Sequence, residues 1–267
     1  MQLIIPAFDE EGRLPATLQA LRAYALSTAA LPRPPLEVLV VDNASTDRTA
    51  EVARAMDSPI MPVRVLRCDV RGKGAAVRAG MLATTADVVG FMDADGATDL
   101  TAFESAADLL AAGADVVIGS RAVAGSQTQH RHTRVRGWGA AAYRRATAVL
   151  VPEIRDTQCG FKILRGDLAR DVVGGLRTTG FSFDVELLAL CRAQRAQIVE
   201  FPVVWSDVPG STFSPLRHGL RSFADLVAIA WRVRRTPATV KAPVQRLRTD
   251  LPALDAGQAP LDLAGGA

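Results

Sequence analysis

Short apolar runs that alternate with helical patterns constrain the fold of this chain more than any other feature. Five runs in the first 120 residues read as buried strands, and the clearest is Val88–Met92. The runs are largely continuous in apolar residues, as is typical of parallel strands covered by helices on both faces. The pattern therefore predicts an α/β fold with a mainly parallel sheet. The predicted strands cover residues 3–5, 37–41, 63–66, 88–92 and 115–119.

Helices are predicted between and after these strands, where apolar residues recur at three- and four-residue spacing. We expect Pro6 to end the first strand and Ser45 or Thr46 to cap the second helix. Asp99 is expected to cap the helix that begins near residue 102. Residues 127–136 read as a mobile loop, and residues 197–204 as a last strand. The predicted helices begin near residue 14 and cover residues 47–56, 75–83, 102–112, 137–150 and 185–195.

Polar side chains follow the predicted strands at the points where the strands end. Ligands of open α/β sheets bind outside the carboxyl ends of strands, so we expect a binding site at this edge. Asp93 and Asp95 offer hard oxygen ligands of the kind that Mg²⁺ or Mn²⁺ prefers, and a solvated loop is the alternative. The polar residues at these ends are Asp9, Glu10, Asp42, Asp93, Asp95, Ser120 and Arg121.

Composition and missing motifs exclude several classes of function. A net charge of +3 and 5% aromatic residues argue against a nucleic-acid partner. Three scattered cysteines indicate neither a disulfide framework nor a zinc site, and no signal peptide or transmembrane run is evident, so a cytoplasmic location is expected. Neither a dinucleotide-binding fingerprint nor a P-loop is present. Arg71–Gly74 could meet phosphate through its backbone and cations, or be an ordinary turn.

The segment 216–235 has the pattern of a basic amphipathic helix. Such a helix can lie in an anionic membrane surface, or it can pack on its own domain with a solvated basic rim. After Thr236 the chain loses periodicity, and a disordered tail is expected. Residues 1–235 are thus predicted to form one domain. The residues assigned to the apolar face are Leu220, Phe223, Leu226, Val227, Ala230 and Trp231.

Four motifs follow one another in the first 100 residues, namely 5–11 (IPAFDEE), 40–47 (VVDNASTD), 71–80 (RGKGAAVRAG) and 93–96 (DADG). Their order resembles that of the family-2 glycosyltransferases, whose fold is called GT-A. Within that family, residues 93–98 (DADGAT), 156–162 (DTQCGFK) and 183–188 (FDVELL) resemble the dolichyl-phosphate β-glucosyltransferase branch, with polyprenyl-phosphate mannosyltransferases as close relatives. The resemblance implies a nucleotide-sugar half over residues 1–121 and an acceptor half over residues 122–215.

The resemblance implies transfer of a hexose from a UDP- or GDP-sugar to a polyprenyl phosphate, with inversion and with Mg²⁺ or Mn²⁺. Asp95 would be the metal ligand, and Asp93 would contact ribose or a metal-bound water. Lys73 would stand near the nucleotide. The remaining nucleotide-pocket residues would be Pro6, Ala7, Asp9, Glu10 and Asp42. Phe8, Asp9 and Asn43 depart from the Tyr, Asn and second Asp that are usual there.

The acceptor decides which further residues the reaction needs. A phosphate acceptor is already ionised and needs cations to position it; the candidates are Arg121, Arg131, Arg134 and Lys162. A hydroxyl acceptor needs a general base, for which the candidates are Asp156, Asp184 and Glu186. Three alternatives stay open. They are a soluble transferase of the same fold acting on a small molecule, a sugar-nucleotide pyrophosphorylase, and a non-catalytic nucleotide-sugar binding module.

Overall fold

The computed structural model describes residues 1–29, 35–129, 143, 145–206 and 215–234. The strands are β1 (Gln2–Ala7), β2 (Glu37–Asp42), β3 (Val63–Arg67), β4 (Val88–Met92), β5 (Val116–Ser120), β6 (Gln127–Gln129), β7 (Phe161–Arg165), β8 (Ile198–Pro202) and β9 (Val204–Ser206). The described helices are α1 (Leu14–Thr28), α2 (Thr49–Arg54), α3 (Lys73–Ala83), α4 (Ala102–Ala111), α5 (Gly166–Val173), α6 (Phe183–Ala193) and α7 (Pro215–Val233).

A seven-stranded sheet in the order β3-β2-β1-β4-β7-β5-β8 forms the centre of the domain. Strands β3, β2, β1 and β4 run parallel to one another, and so do β5 and β8. Strand β7 is inserted antiparallel between β4 and β5. Strands β6 and β9 form a separate parallel pair. The predicted α/β fold with a mainly parallel sheet is confirmed, whereas β7 was not predicted.

Two apolar layers cover the two faces of the sheet. Ile4 of β1 packs into the layer that includes α3, α5 and α6, whereas its neighbours Leu3 and Ile5 pack into the layer of α1, α2 and α4. This alternation follows from the two-residue period of a strand. Because both faces are buried, the site must lie at an edge where strands end.

Two local predictions in the first half were wrong. Strand β1 continues through Pro6, which pairs with Val41. Its ladder with β4 covers only Gln2–Ile4, so Pro6 lies beyond one ladder, where a missing donor is tolerated. Helix α2 begins at Thr49, preceded by Arg48 and not by a Ser45 or Thr46 cap.

Two further predictions failed in the loops. Asp99 accepts hydrogen bonds from the backbone N–H and the hydroxyl of Thr101 (2.9 and 2.6 Å), so it makes a turn just before α4 instead of capping the helix. Residues 127–129, predicted as part of a mobile loop, form a strand because β9 pairs with them. Residues 130–142, 144 and 235–267 lie outside the described residues. Half of the predicted 137–150 helix, the tail, Arg131 and Arg134 fall there.

Helix α7 confirms a helix near 216–235 but divides its predicted apolar face. Leu226 is buried, together with Ile229, whereas Val227 and Trp231 are exposed. The side chains of Leu220 and Phe223 lie outside the described residues. Within the described ranges, no helix is long and apolar enough to cross a membrane.

Candidate active site

An ion pair between Lys73 and Asp93 lies at the centre of the polar edge. Lys73 is the first residue of α3, and its Nζ lies 2.6 Å from Oδ1 of Asp93, which directly follows β4. Burial alone would lower the pKa of Lys73, but the charges of Asp93, Asp184 and Asp95 hold it above its ordinary value. Burial likewise opposes the charged form of Asp93, yet Lys73, Lys162 and Arg121 keep the pKa of Asp93 low. Both partners are therefore ionised near neutral pH.

Gly160 fixes the position of the Asp93 carboxylate. The N–H of Asp93 donates to the carbonyl oxygen of Gly160 at 3.1 Å, where the start of β7 meets the end of β4. A Cβ added to Gly160 would lie 2.0 Å from Oδ2 of Asp93. Only glycine allows this close approach, so the backbone before β7 forms one wall of the site.

Asp95 and Glu10 add further carboxylates beside Asp93. Burial and the charge of Asp93 raise the pKa of Asp95. Burial also raises the pKa of Glu10, with smaller contributions from Asp95 and Asp93, against the effect of Arg13. Arg13 donates to both carboxylate oxygens of Glu10 at 2.8 and 2.6 Å. The three acids thus interact electrostatically with one guanidinium at their border.

These carboxylates fit a hard divalent cation that a ligand helps to hold. Within the described part of the chain, no group of three or more His, Cys, Asp or Glu side chains forms a complete metal cage. Mg²⁺ is commonly bound by one or two carboxylates, with substrate phosphates and waters completing its shell. Asp95 is best placed for this role, since Asp93 is already paired with Lys73. A bound cation would also relieve the repulsion between the neighbouring acids.

The loops after β1 and β2 are joined by short side chains. Asp9 has a left-handed backbone conformation (φ 53°), and its N–H donates to Oγ of Ser45 at 3.1 Å. The N–H of Thr46 donates to Oδ1 of Asp9 at 2.7 Å, and the N–H of Ser45 to Oδ1 of buried Asp42 at 3.1 Å. Ser45 and Thr46 therefore connect two loops instead of capping α2. Pro6 and buried Ala7 lie at the end of β1 beside them.

Asn43 ties the end of β2 to the turn before α3. Its Nδ2 donates to the carbonyl oxygen of Val70 at 2.7 Å, while its Oδ1 accepts from the N–H of Gly72 at 2.7 Å. An ionised aspartate could accept but not donate, so it could not make both contacts. The departure from the family pattern at this position thus has a structural reason.

Arg121 and Asp156, both predicted as catalytic, are paired with each other. Nε and Nη2 of Arg121 donate to the two oxygens of Asp156 at 2.7 and 2.9 Å, and the Arg121 guanidinium lies 5.3 Å from the ring centre of Trp205. Burial opposes the charge of Asp156, but Arg121 holds its pKa below the usual range. A carboxylate with a low pKa is a weak general base.

Lys162 and Asp184 form a second Lys–Asp pair, sealed inside the protein. Nζ of Lys162 lies 2.5 Å from Oδ1 of Asp184 and also donates to the carbonyl oxygen of Cys159 at 2.7 Å. Burial raises the pKa of Asp184, while Lys162 and Lys73 act in the opposite direction. The pair connects β7 to the first turn of α6.

Glu186 is fully buried and its contacts lie within the fold. One oxygen accepts from the N–H groups of Arg177 and Thr178, at 2.9 and 2.6 Å. The other accepts from Nε of Arg232 on α7 at 2.8 Å. These contacts favour a structural role for Glu186 over that of a general base.

Four of the predicted site residues interact with Asp93. Lys73, Asp95, Glu10 and Arg121 do so through contacts or electrostatic coupling. Asp9 and Asp42 form a neighbouring group through Ser45, and Glu186 belongs to the contact with α7. Sequence reasoning missed Arg13, whose three-residue spacing from Glu10 was an available signal, and Gly160, which lies within the quoted motif 156–162. It also missed Trp205 and the contact of Arg232 with Glu186, for which there was no signal.

A protein-family model identifies the family of this chain. The model, described as "Glycosyl transferase family 2", matches residues 2–173. The chain belongs to this family. It is 34% identical to a dolichyl-phosphate beta-glucosyltransferase of Drosophila melanogaster, with 87% of this chain and 77% of that protein covered. The human protein of that name is 30% identical, with 88% of this chain and 78% of that protein covered. The resemblance stated from the sequence is therefore confirmed.

Solved structures of the fold include a glycosyltransferase from Mycobacterium tuberculosis. Glucosyl-3-phosphoglycerate synthase, in complex with Mn²⁺, UDP and glucosyl-3-phosphoglycerate, is 21% identical, with a TM-score of 0.59. The match covers 89% of this chain and 81% of that one. The same enzyme with Mg²⁺ and UDP also matches with a TM-score of 0.59. At this identity the likeness supports the GT-A fold.

Proposed function

We propose that this family-2 glycosyltransferase moves glucose from a nucleotide sugar to a polyprenyl (dolichyl-type) phosphate, with inversion at the anomeric carbon. The observation that carries the proposal is the Lys73–Asp93 pair beside Asp95, at the carboxyl ends of the strands. The relatives named dolichyl-phosphate beta-glucosyltransferase support the choice of sugar and acceptor. Mannose remains the second candidate sugar, since the motifs of this chain also resemble those of the polyprenyl-phosphate mannosyltransferases.

The residues of this edge can stabilise a departing nucleoside diphosphate. Lys73 carries a positive charge at the first turn of α3, where backbone N–H groups also favour anions. Asp95, with Asp93, would hold Mg²⁺ or Mn²⁺, which supplies charge stabilisation to the diphosphate when bound. Pro6, Ala7, Asp9 and Asp42 lie where the nucleoside of a UDP- or GDP-sugar would be bound. The M. tuberculosis synthase, solved in complex with Mn²⁺ and UDP-glucose, supports UDP as the nucleotide.

A phosphate acceptor would need positioning and little base catalysis. Arg121 is the described cation best placed for this, because it is partly exposed and lies close enough to Asp93 to lower its pKa. Lys162 is completely buried, so it would act only through its electric field. A hydroxyl acceptor would require a base, and Asp184 has a raised pKa but is sealed by Lys162. These contacts favour the phosphate acceptor over the small-molecule alternative.

Helix α7 offers a surface through which the protein could touch an anionic membrane. Val227, Trp231 and Arg234 are exposed at positions i, i+4 and i+7, which share one face of a helix. An apolar face with basic residues suits the boundary between lipid headgroups and water. Val227→Glu should weaken binding to phosphatidylserine vesicles, whereas Val149→Glu, at an equally exposed valine elsewhere, should not. Equal binding by both variants would contradict this role of α7.

A donor screen tests the proposed reaction. The protein is mixed with Mg²⁺ or Mn²⁺ and with UDP- and GDP-linked glucose or mannose, with and without a short polyprenyl phosphate. Nucleoside diphosphate and glycolipid are then measured. Release that requires the lipid supports the proposal and names the donor. Donor binding without lipid-dependent turnover would favour the soluble transferase. If the protein bound none of these donors, both the proposed function and the soluble transferase would be overturned.

The role of Asp95 is tested with a control in the same loop. Asp95→Asn should abolish metal-dependent transfer, because it removes one negative charge from the cation site. Asp99→Asn changes an exposed carboxylate four residues away and should keep its activity. Wild-type turnover by the Asp95 variant would contradict the metal assignment.

A further inference from the structure

The segment 177–180 lies between helix α7 and the first turn of α3. It follows α5 and precedes α6, and the proposed chemistry uses none of its side chains. One side of its backbone is held through Glu186 and Arg232. The other side contacts the residues around Lys73. The segment therefore connects the last described helix to the centre of the site.

Arg232 fixes the segment 177–180 from the side of α7. Its Nη2 lies 2.7 Å from Oε1 of Glu186 and donates to the hydroxyl of Thr178 at 2.9 Å. Oε2 of Glu186 in turn accepts from the N–H groups of Arg177 and Thr178. Glu186 is fully buried, so its charge depends on the guanidinium for neutralisation. One arginine thus controls both the carboxylate and the backbone that it holds.

The same segment forms a wall against the turn that carries Lys73. The N–H of Ala75 donates to the carbonyl oxygen of Thr179 at 3.2 Å. A Cβ added at Gly72 would lie 2.1 Å from the carbonyl oxygen of Thr179, and one at Gly74 would lie 2.4 Å from that of Thr178. Both glycines that flank Lys73 are therefore required by this contact. A shift of the segment must move the turn.

We propose that Arg232 is a positioning residue for Lys73, acting through Glu186 and the segment 177–180. Helix α7 then does more than bury Leu226 and Ile229, because its attachment sets the place of the lysine that holds Asp93. The inference rests on the proposed donor-binding role of Lys73. Removing the guanidinium leaves Glu186 buried without its counter-charge, which loosens the backbone that seats Gly72 and Gly74.

Nucleotide binding without lipid or acceptor isolates this effect. The dissociation constants of UDP and GDP, each with Mg²⁺, are measured by calorimetry on the full chain. Arg232→Gln should weaken binding of the preferred nucleotide about five- to tenfold, the range expected for coupling through packed contacts. Arg232→Lys keeps the ion pair with Glu186 and should recover most of the affinity. Arg192→Gln removes the same charge from an exposed ion pair in the last turn of α6 and should bind like the wild type.

Two more readouts separate positioning from simple attachment of the helix. Hydrogen exchange at the Ala75 amide should become faster in Arg232→Gln, since its acceptor is the Thr179 carbonyl. In transfer assays the KM for the donor should rise and kcat at saturating donor should fall with it, since Lys73 is proposed to stabilise the departing diphosphate as well as the bound donor. Thr178→Val, which removes only the hydroxyl that Arg232 contacts, should give a smaller change in the same direction, and it serves if Arg232→Gln does not fold.

Each failure has a distinct result. If the wild type binds neither UDP nor GDP, the proposed function fails and the inference fails with it. If the wild type binds a nucleotide and Arg232→Gln binds it equally well, only the positioning role is overturned. Equal weakening by Arg232→Gln and Arg192→Gln would also overturn it, because a general charge effect would then explain both. A lowered melting temperature with unchanged affinity would leave Arg232 as an attachment residue alone.

Discussion

Two Lys–Asp pairs lie near the same sheet edge and differ in their access to water. In Lys73–Asp93 the side chains are 15% and 39% exposed, whereas in Lys162–Asp184 they are 0% and 2% exposed. The Nζ–Oδ1 distances are nearly equal, at 2.6 and 2.5 Å. The open pair can exchange one partner for a ligand, and the sealed pair cannot. The same chemical pair is thus proposed to serve ligand binding in one place, while it joins β7 to α6 in the other.

The sealed pair is well supplied with contacts for a buried charge. Besides Asp184, Lys162 has the Cys159 carbonyl as an acceptor and lies 5.0 Å from the ring centre of Phe91. Burying charges is costly, and hydrogen bonds and ring contacts offset part of that cost. The pair orients β7 against α6, and its field reaches Asp93.

The largest expected effect comes from breaking the sealed pair. Lys162→Met leaves Asp184 buried without a counter-charge and should lower the free energy of unfolding by about 3–5 kcal/mol. Urea denaturation followed by circular dichroism measures it. The double variant Lys162→Met/Asp184→Leu removes both charges and should regain much of this loss. A double variant no more stable than the single one would contradict the view that the unpaired charge is the cause.

Breaking the open pair should affect function more than stability. Lys73→Met leaves Asp93 partly solvated, so the free energy of unfolding should fall by only about 1–2 kcal/mol. Transfer should fall about 100-fold, since a positive group that stabilises the leaving diphosphate is lost. Steady-state assays beside the same urea titration measure both. A loss of stability as large as that of Lys162→Met would remove the distinction between the pairs.

Displacing the carboxylate of the open pair should give a smaller effect. Gly160→Ala places a methyl group where Oδ2 of Asp93 lies, so we expect donor affinity to fall about tenfold. Gly174→Ala is the matched control, because its added Cβ meets no atom of the described chain within 4 Å. Calorimetric titration with the donor compares the two variants. Equal affinities would show that Asp93 tolerates displacement.

The smallest effect concerns the intermediate pair, Arg121–Asp156. The fold lowers the pKa of Asp156, so its ionised form stabilises the protein above its unfolded pKa of about 4. That contribution is lost as pH falls through the lower folded pKa. The difference in melting temperature between wild type and Arg121→Gln should therefore be largest near pH 6 and become smaller below about pH 4. A difference independent of pH would show that packing, and not charge, holds the pair.

The sequence predicts elements well where one local pattern decides them. Continuous apolar runs such as Val88–Met92 identify parallel strands, and the acids that follow them locate the edge of the site. Strand β7 was not predicted because its second residue is Lys162, which reads as solvated until its distant partner Asp184 is known. Strands β6 and β9 escaped because each is three residues long and exists through the other. These three strands form because of contacts with residues that are distant in the sequence. The local periodicity of hydrophobic residues contains no information on such contacts.

For the site residues, too, local motifs were predictive and contacts between distant residues were not. Lys73, Asp93 and Asp95 were predicted as site residues because their motifs carry a recognisable spacing, and the structure brings them together at one edge of the sheet. The pairing of Arg121 with Asp156 could not be read from residues 35 positions apart, nor could the use of Glu186 as an anchor for α7. Ser45 and Thr46 were assigned to helix capping because that is the local rule, whereas Asp9 and Asp42 compete for them.

The late position of β7 in the chain has a consequence for the order of folding. Strand β5 pairs with β7 and β8. Strand β4 does not pair with β5, because β7 lies between them. While residues 1–150 are being synthesised, β4 has one open edge and β5 has neither of its partners. The sheet can close only after Phe161–Arg165 leave the ribosome. We expect the nascent chain to expose three unpaired strand edges until then, one on β4 and two on β5, a period in which chaperones would shield it.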